Sequence, residues 1–239
     1  MTSEKHFALS HTGFWNTLLP LEESYVRTHN LKLERFAPPL TVSEASDQHG
    51  IVNEAAFRFF CASYLNGERP AELSAARVVE CADDAYHHIR RFRQFSRTPI
   101  TPISDRGKRE AIELAIRLTE FFAASRTIQL HPRPVFPGCG WIDEAEGDIL
   151  AGSKLCEVKA GDRLFRGTDL RQILVYAAMN FSAKAFQIDA FALVNPRLGI
   201  YFEDDLETMI RKTSGADASQ ILGEIVHYIS EPIGQYRAG

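Results

Sequence analysis

Gly147-Asp148-Ile149-Leu150-Ala151-Gly152-Ser153-Lys154-Leu155-Cys156-Glu157-Val158-Lys159 is an aspartate opening one short apolar run, a Gly-Ser turn, and a second apolar run ending in Glu-x-Lys. Gly followed by Ser suits a tight hairpin loop, so residues 148–151 and 155–159 are expected to fold back on each other as strands. Side chains alternate along a strand, which sends Glu157 and Lys159 to one face and Cys156 and Val158 to the other. Folding at the turn returns Glu157 and Lys159 to the neighbourhood of Asp148. The apolar Ile149, Leu150, Leu155 and Val158 fit strands of a covered sheet.

Two carboxylates with open positions make a hard-oxygen site. Magnesium takes one or two carboxylates and fills its remaining positions with water and phosphate oxygens. Such an ion polarises a phosphodiester and lowers the pKa of a bound water. Lys159 would orient that water or offset charge on the pentacovalent phosphate. The backbone carbonyl of Val158, between the two side chains, is a candidate further ligand, and Glu146 shares the alternation parity of Asp148. Taken alone, an Asp and a Glu-x-Lys also describe a solvated strand face. The segments that follow are what favour chemistry.

Residues 160–167 are a polar loop, and 168–180 carry Leu170, Ile173, Leu174, Ala177 and Ala178 at helical spacing, with Thr168 or Asp169 as the expected N-cap. Gln172 and Tyr176 lie four apart on one face of that helix. Two apolar β-like runs follow, 186–195 and 198–202, parted by Asn195-Pro196-Arg197. Upstream, 141–146 reads as an earlier strand or hairpin arm.

Gly138-x-Gly140-x-x-Asp143, then Gly147-Asp148, eight residues, Glu157-x-Lys159, then a helix with Gln172-x-x-x-Tyr176 resembles the PD-(D/E)XK phosphodiesterase superfamily, most of all its RecB-type nuclease domains. The likeness spans about residues 135–205. It implies an α/β (α+β) fold, a restriction-endonuclease-like mixed β-sheet flanked by helices. It also implies a divalent-metal-dependent nuclease that hydrolyses DNA, by expectation an endonuclease, with Mg²⁺ as the ion and Mn²⁺ as its substitute. Asp148 and Glu157 become metal ligands, Lys159 the catalytic lysine, and Gln172 and Tyr176 DNA contacts at the edge of the active site. The family often uses a further acid on a preceding helix. Glu110, Glu113 and Glu120 are the candidates, and Glu110 is preferred because it sits nearest the apolar edge formed by Ala111, Leu118 and Phe122. Some relatives carry an iron–sulfur cluster on C-terminal cysteines; no cysteine follows Cys156, so none is expected. A small nuclease with a helical attachment is similar to effectors of bacterial defence or DNA repair.

The 239 residues hold 45 % apolar and 24 % charged residues, ordinary for a globular protein. No membrane-spanning run or secretory signal is read. Cys61, Cys81, Cys139 and Cys156 are scattered, which speaks against a zinc ribbon and suits a reducing cytoplasm. The net charge of −4 sits poorly with nucleic-acid binding, which usually needs a basic surface. Arg163, Arg166 and Arg171, between Lys159 and the end of the Gln-Tyr segment, are the best-placed DNA-binding candidates; Arg90, Arg91, Arg93 and Arg97 are a second cluster. DNA affinity from a partner subunit such as an ATPase or helicase is the other source.

Residues 1–105 read as a mainly helical N-terminal region and 106–239 as the nuclease-like domain. Pro20 must break or start a helix within 14–27. Residues 52–65 are a strong helix, with Phe57, Phe60 and Tyr64 on one face as a core pattern. Packing on the sheet, partner recognition and homodimerisation are the open roles for this half. The competing function is a non-catalytic DNA- or protein-binding subunit that keeps the nuclease fold. A sugar or acyl hydrolase built on Asp148 and Glu157 would leave Lys159 and the Gln-Tyr helix without roles.

Overall fold

The structure is a computed structural model that describes residues 2–41, 48–92, 101–124 and 129–231. In chain order these form α1 (Glu4–Leu9), α2 (Thr12–Leu18), α3 (Glu22–Asn30), β1 (Glu34–Arg35), α4 (His49–Asn66), α5 (Ala75–Phe92), α6 (Asp105–Ala124), β2 (Leu130–Pro132), β3 (Val135–Phe136), β4 (Ala145–Glu146), β5 (Ile149–Ala151), β6 (Lys154–Val158), α7 (Gly167–Ala183), β7 (Ala190–Asn195), β8 (Ile200–Asp205), α8 (Leu206–Ser214) and α9 (Ala218–Ser230). The protein is mixed α/β. Its mixed sheet runs β1-β8-β7-β6-β5-β2, and β3 and β4 form a small separate ribbon.

The hairpin sets the sheet. β5 and β6 pair antiparallel with Ile149 opposite Cys156 and Ala151 opposite Lys154. Gly152 takes φ 62° at the turn, a left-handed conformation that glycine adopts without a Cβ penalty. β6 then pairs parallel with β7, Val158 opposite Val194, and that connection needs a crossover, supplied by α7. The later strands start and end further on than their apolar runs suggest: β7 begins at Ala190 and β8 runs through Asp205. Of 141–146, only Ala145–Glu146 is strand.

Alternation along the strands feeds two cores. Ile149, Ala151, Cys156, Ala192 and Val194 face α4 and α6. Leu150, Leu155, Phe191, Leu193 and Phe202 face the opposite layer, where α7 lies among α1, α3, α8 and α9. Residues before and after position 105 therefore contribute to both cores. Every residue of α7 from Asp169 to Asn180 is buried, the signature of a helix enclosed on all sides. Each buried Leu or Ile contributes roughly 1.5–3 kcal/mol, so α7 is a rigid platform for Gln172 and Tyr176.

Several local expectations are refined. Pro20 does separate α2 from α3. The buried stripe of α4 is Val52, Ala55, Ala56, Phe59 and Phe60, while Tyr64 is exposed, because α4 packs on both α5 and α6. The N-cap of α7 is Arg166, with neither Thr168 nor Asp169 in that place; Asp169 is the third helical residue and accepts the Arg166 amide at 2.9 Å. Arg93 and Arg97 lie outside the described residues. Among the described residues no helix is long and apolar enough to cross a membrane.

Candidate active site

Asp148 stands immediately before β5, its carbonyl pinned by the Arg133 amide at 2.9 Å. Its carboxylate reaches across the hairpin, where Oδ2 accepts the Val158 amide at 2.7 Å. One residue earlier on β6, Glu157 is 2 % exposed. Glu157 Oε1 accepts Lys159 Nζ at 2.8 Å, and its Oε2 is buried without a hydrogen-bond partner. Lys159 Nζ also donates to Gln172 Oε1 at 2.6 Å, and Gln172 Nε2 donates to Tyr176 Oη at 3.1 Å. The Tyr176 hydroxyl donates to the Glu146 carbonyl at 3.0 Å, with Glu4 Oε1 at 3.3 Å. Glu157, Lys159, Gln172 and Tyr176 are thus linked in one polar chain, from the hairpin to α7 and on to α1, and Asp148 adjoins it through the Val158 amide.

The electrostatics are those of crowded carboxylates. Burial pushes the Asp148 carboxyl up to about 7, and the charge of Glu157 adds to it; Lys5, Lys159 and the Val158 amide pull the other way. Tyr176 is raised well above the usual phenol range, by burial first and then by the charges of Glu157, Glu4 and Asp148. A buried acceptor left without a donor costs about 1–3 kcal/mol. Glu157 Oε2 is therefore an atom that a cation would satisfy, and Asp148 is the neighbouring anion that the same cation would relieve. Among the described residues no group of three or more His, Cys, Asp or Glu side chains forms a ready metal cage. Two carboxylates, with the Val158 carbonyl as the further ligand expected from the sequence, would suit magnesium, which retains waters and phosphate oxygens.

Asp148 yields a signed prediction. Its folded-state pKa lies above the ordinary carboxylate value, so its contribution to stability is present at low pH and is lost as pH rises through about 7. Asp148→Asn keeps an oxygen for the Val158 amide and removes the titration. In EDTA, the Tm of Asp148→Asn minus that of wild type is expected to be larger at about pH 8.5 than at about pH 5.5, by several degrees. Differential scanning fluorimetry at the two pH values checks it, and an equal difference at both would show that Asp148 carries no such burden.

Four sequence-based assignments need correction. Arg171 is buried, and its guanidinium grips Glu22, with Nε 3.0 and 2.9 Å from the two carboxylate oxygens and Nη2 at 2.8 Å; it cannot face DNA. Arg163 spends both terminal nitrogens on Asp169, at 2.7 and 2.8 Å. Only Arg166 of the three is exposed. The Gln172–Tyr176 pair is buried, at 4 % and 1 % exposed, so neither side chain contacts DNA; Tyr176 holds Gln172, and Gln172 holds Lys159. Glu110 is buried against Arg197 Nη1. It is committed to a cation between α6 and the β7–β8 turn and is not a free metal ligand.

Some residues that shape the site carry no local signal. Arg197, itself 0 % exposed, donates Nε to the Ala160 carbonyl at 2.8 Å and Nη2 to Asn53 Oδ1 at 2.9 Å, tethering the loop directly after Lys159. Arg133, at a left-handed φ of 55°, sits beside Asp148 and reaches Glu146 at 3.3 Å and Glu54 at 3.6 Å. Cys156 is buried on the opposite face, its thiol pushed up to about 12 by burial, which leaves it inert as a nucleophile. Comparison with family models, curated proteins and solved structures finds no match to this chain.

Proposed function

We propose that this protein is a divalent-metal-dependent nuclease of restriction-endonuclease-like fold, hydrolysing DNA phosphodiester bonds. The observation that carries this is the buried, unpartnered Oε2 of Glu157 beside Asp148, with Lys159 clamped at the same carboxylate. The hairpin, crossover helix and parallel strand, with Gln172 and Tyr176 on that helix, support the same family reading.

Asp148, Glu157 and the Val158 main-chain oxygen would hold Mg²⁺, or Mn²⁺ in its place. The bound ion supplies Lewis acidity and a water of lowered pKa. An ammonium carries three N–H groups; Lys159 spends two on Glu157 and Gln172, and the third, with Asp169 Oδ1 at 3.8 Å and so beyond hydrogen-bond reach, would serve the attacking water or a phosphate oxygen. Gln172, fixed in turn by Tyr176, keeps Lys159 aimed.

Arg166, Arg90 and Arg91 are exposed and are the backbone-phosphate contacts of this reading. With Arg163 and Arg171 engaged internally and a net charge of −4, a partner subunit such as an ATPase or helicase would bring DNA to the site. Service as an effector in bacterial defence or DNA repair rests on the resemblance. The same two ion pairs and net charge favour, as second reading, a non-catalytic subunit on the same fold.

Incubation with supercoiled plasmid decides between them. Nicking or degradation in Mg²⁺ that EDTA stops is the expected result. No cleavage of DNA or RNA with Mg²⁺ or Mn²⁺, with or without the proteins encoded beside it, leaves the non-catalytic reading.

A further inference from the structure

A cavity of about 460 Å³ opens where the end of α3 meets the loop between Lys159 and α7. Val26, Arg27, Asn30 and Leu31 line it from one side, and Leu164 and Arg166 from the other. Its volume falls within the roughly 300–1,000 Å³ of small-ligand sites. Asn30 joins the two sides, its Nδ2 donating to the Phe165 carbonyl at 2.9 Å, while its Oδ1 has no hydrogen-bond partner.

Walls and rim offer two chemistries. Val26 is buried, but Leu31 and Leu164 are 82 % and 48 % exposed. Exposed leucines gathered around one cavity, unlike scattered ones, point to a surface that a ligand covers. Arg27 and Arg166 are exposed. Arg163 and Arg171 are paired internally, whereas among the described residues no ion pair engages Arg27 or Arg166. Glu23 shares the rim, and the two arginines leave it net positive. The cavity also adjoins Lys159, whose Nζ stands 3.8 Å from Asp169 Oδ1. The other oxygen of that carboxylate accepts the Arg166 amide at 2.9 Å. One carboxylate therefore separates the lysine from the rim.

We propose that this cavity holds the nucleotide next to the cleaved phosphate, with its base against Val26, Leu31 and Leu164 and its own phosphate between Arg27 and Arg166. A nucleotide presents a flat apolar face and a charge, the pair that walls and rim accept. Its base must be unpaired to enter, so the substrate is single-stranded at that position or turns one nucleotide out of a duplex. The proposal rests on the nuclease reading, and its test separates the two.

Wild type, Leu31→Ser with Leu164→Ser, and Arg27→Ala with Arg166→Ala are compared. Binding of a short labelled DNA single strand and of its matched duplex is read by anisotropy in Ca²⁺ across a salt series, cleavage in Mg²⁺, and Tm by thermal scan. Wild type should bind the single strand more tightly than the duplex, which must first unstack a base. The serine pair should weaken single-strand binding about 10-fold through lost apolar contact, with the salt dependence unchanged. The alanine pair should weaken it about 10-fold as well, the low end for hydrogen bonds to a charged group. It should also flatten the slope of log affinity against log salt by about 0.7, the value for one phosphate of a single strand. Tm should hold in both, because the substituted side chains are exposed.

Both variants matching an active wild type in affinity and salt slope would overturn the proposal and leave the nuclease reading standing. A wild type that cleaves nothing, yet loses single-strand affinity in both variants as stated, would keep the nucleotide cavity and sink the catalytic reading. Weaker binding by the alanine pair alone would reduce the cavity to a charged rim and overturn the base contact. Tighter binding of the duplex, or a lower Tm in either variant, counts against the proposal too, and a wild type that neither binds nor cleaves overturns both readings.

Discussion

Lys159→Met is expected to slow single-turnover hydrolysis of a labelled duplex in Mg²⁺ by about 10²–10⁴-fold, the range for a proton-transfer or charge-stabilising group. Methionine preserves the apolar stem and removes the ammonium. Metal affinity should not fall, because the lost group is a cation and the carboxylates of Asp148 and Glu157 remain. The variant leaves Glu157 Oε1 and Gln172 Oε1 without their donor, so folding stability should drop by about 1–3 kcal/mol. Slow turnover with intact Mn²⁺ binding, read by titration, assigns Lys159 to the chemistry. Parallel loss of metal and activity would assign it to holding Glu157 in place.

The largest effect on stability is expected at Arg197. Its guanidinium is fully buried and serves Glu110, Asn53 and the Ala160 carbonyl together. Arg197→Met takes the Arg197 guanidinium from the buried Glu110 carboxylate, and breaking a buried pair from one side costs about 3–5 kcal/mol. For a domain of this size that is a fall in Tm of about 10 °C. Removing both charges behaves differently, because an apolar pair of similar volume is often tolerated. Arg197→Met with Glu110→Leu should therefore recover much of the lost stability. A thermal scan of the single and double variants checks this, and a single variant within about 2 °C of wild type would mean that Glu110 finds another partner or takes up a proton.

The two halves of the site differ in how well sequence announced them. Asp148, Glu157 and Lys159 are joined by the period-two rule of a strand and by one glycine turn, so their neighbourhood follows from adjacent residues alone; the hairpin pairs as expected, with Asp148 on the Val158 amide and Lys159 on Glu157. Gln172 and Tyr176 share a helix face by the same kind of local rule, and Gln172 does reach Lys159. The errors lie where the deciding partner is remote. Arg171 reads as a surface cation until Glu22, 149 positions earlier, takes it. Glu110 reads as a helix-edge acid until Arg197, 87 positions later, closes over it. Glu4 gives no motif at all; only the strap of Thr2 along Trp141 and Asp143 brings it to the Tyr176 hydroxyl. On α4 the expected face holds for Phe60, which is buried, and for Phe57, which packs on the core, while Tyr64 is exposed; further residues are buried because the helix packs on two neighbours.

Plasmid cleavage in Mg²⁺ by wild type and Glu157→Gln tests most directly whether Glu157 belongs to a metal-dependent phosphodiesterase site. The amide keeps the volume and an oxygen for Lys159 but loses the charge that a divalent ion requires. The expected result is cleavage by wild type that falls at least about 10²-fold in the variant, with the fold retained. Equal cleavage by both proteins, or none by wild type in Mg²⁺ or Mn²⁺, would contradict it.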